Sequence, residues 1–506
     1  MNQPLTVQWF LRDDTPCLPP PYPLRVERLV WEEPGGAALA VLRADLTAFP
    51  VWEAAEWAAD ALRRPLVVYS PEGEACWSGF VARAEILSGR LGLAFDLNRM
   101  ANRVAAVFPP PVSEPPFPPR RQIGEWAEDA LSLQRYGRKE HLLPLNPAAA
   151  GEALTACRAY LQGSALPQGE PFVLAGSSPP ALRLLCRGWF STLNWSYLRV
   201  EDGAVGFVAA AQTSQTLGRS ASSDAMLAQS FQTAFGPFYL LEAGLNLKRY
   251  GTPADGVTVT VCADQNGAPG AALAAQSLPA GALSGGRAWA RFVFPNPPQL
   301  LAATPYWLRI ERSGALNSTH YYQLYRETND PYPGGRMLQW NGSAWVDGNS
   351  GLADLNFYIL AGQSRSTRLL ELTAPQHGGQ FLRGVCLRAE PGGLIPCADE
   401  GVRPCGAVLL ELLSGGDAQG RPLRAQVNAA RELIIEPLPE AENARWLLHA
   451  DGALTALSGR PARLSEPLAG EWARLPGGGA VRPLFLRRVE WTAQEGLRAS
   501  ASAKPG

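Results

Sequence analysis

The chain is 506 residues long and 46% hydrophobic, and its 45 Lys and Arg against 46 Asp and Glu leave a formal net charge of −1. That length suits about three to four domains, and the balanced charge excludes the global basic field that gathers nucleic acid or anionic lipid. Fifty glycines and 45 prolines favour many short strands joined by turns over long helices.

Lysine occurs only at Lys139, Lys248 and Lys504, which marks a GC-rich genome more than a hot habitat. The eight cysteines (Cys17, Cys76, Cys157, Cys186, Cys262, Cys386, Cys397 and Cys405) form no CxxC pair, and no histidine lies near the last three. Several, such as Cys186 in Leu184-Leu185-Cys186, read as small core residues of a protein folded in a reducing cytoplasm, with no metal and no cofactor expected. The first ten residues lack the basic start and apolar stretch of a secretion signal, and no apolar run is long enough to span a bilayer.

In chain order, 24–31 alternates as a half-buried strand, 38–46 is a second strand, and 52–62 has a helical apolar pattern stopped before Pro65. Residues 65–70 and 75–81 read as a hairpin across 71–74, with two more strands at 82–87 and 91–95. Residues 109–119 are proline-dense, predicting an extended linker. Helices are predicted at 125–136, broken by Gly137, and at 148–162, then strands at 181–188 and 194–200. Residues 201–229 turn small and polar, as an exposed crossing into the next unit, and 362–367 reads as the matching way out. Between them 228–362 reads as a complete β-sandwich, with an alternating strand at 256–264 and a turn at Gln265-Asn266-Gly267. Beyond it come a helix near 407–413, strands at 423–428, 432–436 and 444–450, and a tail at 499–506 expected to be disordered.

The order of several short motifs carries a resemblance. Trp77-Ser78-Gly79-Phe80-Val81 (W-x-G-x-V), Asn98 to Val104, a helix ending in Tyr136-Gly137-Arg138-Lys139-Glu140, Arg187 to Tyr197, Gly378-Gly379-Gln380-Phe381 and Trp446 to Gly452 resemble, in sequence order, tail-hub proteins of tailed bacteriophages. That resemblance covers roughly 20–200 and 365–495. Ala228-Gln229-Ser230-Phe231, Asn266-Gly267-Ala268-Pro269-Gly270, Tyr306-Trp307-Leu308 and Asp354-Leu355-Asn356-Phe357 resemble a second family, the choice-of-anchor type β-sandwiches of bacterial and phage surface proteins.

Together these predict a mainly β chain with some α (α+β): hub-like β-barrel domains interrupted by an inserted antiparallel sandwich. The expected divisions are an N-terminal hub domain at 1–108, a linker at 109–124, a hub middle domain at 125–202, the sandwich at 203–362, the continued hub at 363–498 and the tail. The resemblance implies a non-enzymatic virion protein at the tail tip. It would form a homotrimeric ring and contact the distal tail protein, the tape measure protein and tail fibre or tip proteins, with a host cell-surface glycan as a further candidate partner. No nucleic acid binding and no membrane insertion are expected. The alternatives are a secreted or surface carbohydrate-binding protein without catalysis, and a cell-wall hydrolase of the tail tip.

Candidate residues follow from composition. Tyr321, Tyr322, Tyr325, Tyr332, Trp340 and Trp345 crowd one stretch and would stack on sugar faces if exposed, or else serve as core residues of alternating strands. Arg99, Asn102 and Arg103 form a basic patch able to hold an interface carboxylate, or else a solvated edge. Asp264-Gln265-Asn266-Gly267 lacks the downstream acid of a calcium loop and reads as a β-turn. His141, His320, His377 and His449 are scattered, without HExxH, and no nucleophile elbow or P-loop is present. Glu125, Glu128 and Asp129 would suit a predicted helix start better than glycan cleavage.

Overall fold

Residues 5–108, 122–146, 150–198, 204–207, 213–220, 224–347, 351–397, 403–466, 468–476 and 483–502 are described by a computed structural model, in which the chain is mainly β with some α. The proline-dense 109–119 lies outside the described residues.

One large open sheet organises the flanks. Its strands run Thr6–Phe10, Pro65–Tyr69, Ala75–Asp96, Gly169–Gly188, Gly35–Asp45, Arg25–Glu32, Leu484–Thr492, Trp472–Arg474 and Trp446–Leu448. Among the described residues it closes into no barrel, contrary to expectation. Helices cover its apolar side where a barrel would cover itself. Val51–Ala61 lays Ala54, Ala58 and Ala61 inward, small residues one helical turn apart that let a helix lie close to a sheet. The helices Arg365–Leu372 and Cys405–Ser414 bury Leu369, Leu372, Val408, Leu409, Leu412 and Leu413 in the same core. That core joins Trp9, Leu42, Trp77, Trp189, Leu372 and Ile435, so the stretches before and after the sandwich share one apolar interior.

A smaller unit packs the helix Ala150–Ser164 on the three-stranded sheet of Arg103–Phe108, Gln122–Glu128 and Glu140–Pro144, around Val104, Ala106, Ala127 and Cys157. Here the predicted helix at 125–136 divides. Gln122–Glu128 is extended along Arg103–Phe108, and the helix begins only at Ala130, where the Asp129 carboxylate accepts the Ser132 amide as an N-cap.

Other boundaries moved as well. The strands predicted at 82–87 and 91–95 belong to the single strand Ala75–Asp96, which continues through Gly89 at a φ of 61°. In place of a strand at 194–200, Trp189–Trp195 is a 3-10 helix and only Tyr197–Leu198 is extended among the described residues. The strand predicted at 444–450 is confined to Trp446–Leu448. Ala499 to Ser502, read as disordered tail, continue the strand Gly496–Ser502, which pairs along Leu484–Thr492. The small residues there fit a strand whose partner supplies the bulk.

The sandwich consists of two antiparallel sheets around its own core of Leu227, Phe231, Leu245, Val259, Phe292, Tyr322 and Phe357. One sheet runs Ala204–Phe207, Phe357–Ser364, Phe238–Tyr250, Tyr321–Glu327 and Thr213–Leu217, with Ala288–Val293 also paired to Phe238–Tyr250. The other runs Pro269–Leu278, Val257–Asp264, Tyr306–Arg312, Met226–Phe231, Met337–Trp340 and Trp345–Asp347. The polar crossings expected at 201–229 and 362–367 are largely part of the fold. Thr213–Leu217 and Met226–Phe231 are strands that send Leu217, Leu227 and Phe231 into the core. The strand Phe357–Ser364 runs on into a helix capped by the Ser364 hydroxyl. Ala204 to Phe207 pair with Phe357 to Leu360, so entry and exit lie side by side.

The opening and closing motifs of the sandwich latch together. Gln229 Nε2 donates to Asp354 Oδ1 at 2.8 Å, and the Leu355 amide donates to Gln229 Oε1 at 2.7 Å. Both side chains are buried, and burial lifts the Asp354 carboxyl to about 6. Asn266 and Gly267 both take positive φ, 57° and 79°, and Gln265 and Ala268 exchange backbone hydrogen bonds, as a tight hairpin turn requires.

Candidate functional site

The hub-like motifs other than Trp446 to Gly452, which belongs to a separate apolar cluster, meet at one point. Phe80, Trp189, Trp195 and Phe381 pack ring against ring, with centroids 5.1 Å apart for Phe80–Trp189 and 5.6 Å for Trp195–Phe381. Gly137 has a φ of 79°, and a β-carbon there would lie 2.3 Å from the Phe381 ring, so the turn after Tyr136 needs glycine for both reasons. The Arg138 amide donates to Gln380 Oε1 at 2.7 Å, and the Arg138 guanidinium donates to the carbonyls of Pro375 and His377. Glu140 accepts from Arg103 at 2.6 Å and from the Tyr197 amide at 2.7 Å. The signature 136–140 is therefore a tie between the segments on either side of the sandwich.

This tie accounts for the three interface candidates. Asn102 is fully buried; its amide donates to Ser132 Oγ and the Gly137 carbonyl and accepts from the Lys139 amide, so it offers nothing to a partner. Arg103 lies over the Trp126 ring at 4.5 Å and bridges Glu128 and Glu140 within the chain. Arg99 is exposed and paired to Glu170. The basic patch is thus an internal brace with one exposed arm. Glu128 pairs with Arg103, and the Asp129 carboxylate caps the helix that starts at Ala130.

The six aromatic candidates are not one site. Tyr322 is a core residue whose hydroxyl donates to the Asp255 carbonyl. Tyr332 closes the edge of the core, with its hydroxyl bonded to the Gln232 carbonyl at 2.9 Å and its ring edge-on to Phe357. Trp340 and Trp345 pair edge to face at 5.5 Å on one sheet, while Tyr321 and Tyr325 belong to the other. Tyr322 and Leu324 point inward, so the alternating Tyr321, Gln323 and Tyr325 face outward.

That outer face carries groups the sequence reading passed over. Tyr250 stacks on Tyr321, with centroids 4.6 Å apart and planes 19° apart. Arg219 lies over Tyr321 at 5.3 Å and Lys248 over Tyr250 at 5.5 Å. Arg287 covers Tyr325 at 4.3 Å and donates to Asn246 Oδ1 at 3.2 Å. Arg291 grips the buried Glu242 with two hydrogen bonds of 2.8 and 2.7 Å, and Glu242 also accepts from the Tyr358 hydroxyl. The signal available was the alternation of Asn246, Lys248 and Tyr250, but their strand mates lie far along the chain.

The flanks hold a cleft of about 740 Å³ beside Trp31, Trp77, Arg424, Gln426, Glu436 and Glu471. Glu436 accepts from Arg424 at 2.7 Å, from Arg388 at 2.6 Å and from Gln426 at 3.3 Å. Glu471 lies 3.4 Å from Arg424 and 3.3 Å from Arg445. Nearby, burial raises Glu33 to about 8, against the pull of Arg424. Glu436 and Glu471 are thus both held by guanidinium groups. Among the described residues no cluster of His, Cys, Asp or Glu could hold a metal ion.

No protein-family model and no curated protein matches this chain. Among solved structures it is similar to the clostridial cysteine protease Cwp84 after propeptide cleavage, at 12% identity over 38% of this chain and 47% of that one, with a TM-score of 0.24. It is also similar to the mosquito-larvicidal Cry4Aa toxin from Bacillus thuringiensis, at 7% identity over 68% and 53% with a TM-score of 0.18. A third is a glycoside hydrolase family 43 arabinoxylan arabinofuranohydrolase from Bacillus subtilis, at 10% identity over 57% and 63% with a TM-score of 0.14. The chain spans about half the length of the first two. Scores this low define no shared fold and carry no functional argument.

Proposed function

We propose that this chain is a non-catalytic structural protein of a tailed-phage tail tip, a ring-forming hub whose inserted sandwich is displayed outward to touch the host surface or a neighbouring tail protein. The observation that carries the reading is the division of labour within the molecule. The flanks share one core, tied at the hub-like signature 136–140, and the sandwich has a core of its own entered and left at one edge. Such a module interrupts its host without breaking it.

Ring assembly is supported by a ribbon on the large sheet. Residues 91–95 pair with 169–173 and, among the described residues, with no other strand. Leu91 and Val173 stand opposite each other in this pair, 66% and 73% exposed. An open apolar edge invites a further strand. Pro171 blunts one side of the ribbon, whereas 88–96 carries no proline, so the second copy adds along 88–96. Pairing of that edge with a different surface of the next copy, repeated head to tail, would close a ring.

The solution mass of the purified full chain, with negative-stain images, tests the reading. A trimeric ring with peripheral knobs is expected, and virions should be labelled at the tail tip by an antibody to 228–362. A monomer that labels no virion would overturn the proposal in favour of a free carbohydrate-binding protein.

A further inference from the structure

The outer face of the sandwich sheet has a composition that selects one ligand chemistry. Tyr250 is 45% exposed and lies parallel to Tyr321, so it offers a flat ring face backed by a second ring. Lys248 stands opposite Gln323 and Tyr250 opposite Tyr321 in the strand register, which puts an ammonium, an amide and two rings in neighbouring positions on one face. Arg219 lies 5.3 Å over the Tyr321 ring, which is itself buried between its neighbours, and adds a second cation beside the exposed Tyr250.

The charges are not cancelled locally. Among the described residues neither Arg219 nor Lys248 has a carboxylate within 4.0 Å, whereas Glu242 on the same face is taken up by Arg291 and Tyr358. Glu327, an acid on the same strand as Tyr321, stands at the far end of that strand from it. On the opposite sheet Trp307 is buried, donates to Asp264 at 2.8 Å and is flanked by Arg336, which is itself bonded to the Gly267 carbonyl.

Resting on the reading of the sandwich as a display module, we infer that this face binds an anionic glycan. Tyr250, backed by Tyr321, stacks on a sugar ring, and Lys248 and Arg219 take its carboxylate or phosphate. The stack suits the CH-rich face of a pyranose, and the two cations supply charge-assisted bonds to the acid group. A single-stranded nucleic acid is less well served, since it calls for a basic groove tracking the backbone and successive stacking platforms. Here two adjacent rings are closed against each other.

Calorimetric titration of the full chain at low salt tests this with four probes. They are an oligogalacturonate, the same oligomer methyl-esterified, a glucosylated poly(glycerol phosphate) and an oligothymidylate. At least one of the two anionic sugars should bind; the first alone indicates a carboxylate, the second alone a phosphate. The methyl ester should bind about tenfold more weakly than the free acid if the carboxylate is the group read. Y250A, and separately the pair K248Q with R219Q, should each weaken binding about tenfold with an unchanged melting temperature. The inference is overturned if neither anionic sugar binds, if Y250A binds as well as the parent chain, or if oligothymidylate binds most tightly. Ring formation is read separately: binding by a chain that forms no ring would keep this inference and remove the hub, and a ring that binds no glycan would do the reverse.

Discussion

Gly79 stands directly opposite Gly188 across two neighbouring strands, and the pair shows what the W-x-G-x-V pattern requires. A β-carbon on Gly79 would lie 2.1 Å from the Arg187 carbonyl oxygen and 2.4 Å from the Trp77 ring, and one on Gly188 would lie 1.6 Å from the Ala37 carbonyl. Backbone cannot yield as a flexible side chain can. G79A should therefore cost about 3 kcal/mol in urea unfolding, while G285A, in open space, should be near neutral. Asn102 is a second such residue: N102A leaves the Gly137 carbonyl and the Lys139 amide without their partner and should cost about 2–3 kcal/mol. Glu33 gives a pH signature. Its folded value, about 8, lies above the usual 4.5, so the folded state binds the proton more tightly. Its contribution is fully present at low pH and is lost as pH rises from about 4.5 to 8. His141 and His377 are pushed down by burial and act in the opposite sense, so the comparison must be with E33Q. Between pH 6 and 8 the parent chain should lose melting temperature relative to E33Q; parallel curves would refute the assignment.

At the scale of elements, propensity was overridden wherever a neighbouring strand set a different demand. Residues 125–128 have a helical look, yet they extend along Arg103–Phe108 because that sheet needs Ala127 inward, and Asp129 can start the helix one step later. The ribbon of 91–95 and 169–173 makes the assembly prediction an element-scale one. L91D places a charge on the exposed edge without touching a core residue, so it should lower the assembled fraction on a sizing column while leaving the circular dichroism spectrum and melting temperature unchanged. Loss of the fold in L91D would mean that the ribbon is a buried element of the monomer after all.

At the scale of the whole molecule, the separate cores have a thermodynamic consequence. Two interiors of unlike composition, joined through Ala204–Phe207, Phe357–Ser364 and the strand Leu394–Pro396 that pairs with 362–364, should unfold in two calorimetric transitions. Replacing 208–356 with a short glycine linker should remove one transition and leave the other within a few degrees, since the paired ends already lie side by side. A single transition lost altogether on deletion would show that the sandwich is integral to its host.

Residue type and local order alone determined much of this protein. Alternation marked the sandwich strand at 256–264, and Asn266-Gly267 marked its hairpin turn. These are local consequences of backbone stereochemistry and side-chain period, which a short window contains. What only the tertiary structure decided was which distant residues share a face. The stretch holding Tyr321, Tyr322, Tyr325, Tyr332, Trp340 and Trp345 was scattered over a core, an edge and two opposite sheets, because strand alternation and sheet order send near neighbours apart. Tyr250 and Tyr321 came together by cross-strand register, and Arg138 met Gln380 by a tie across the insertion. Register and long-range pairing depend on how whole faces pack, which no local window holds.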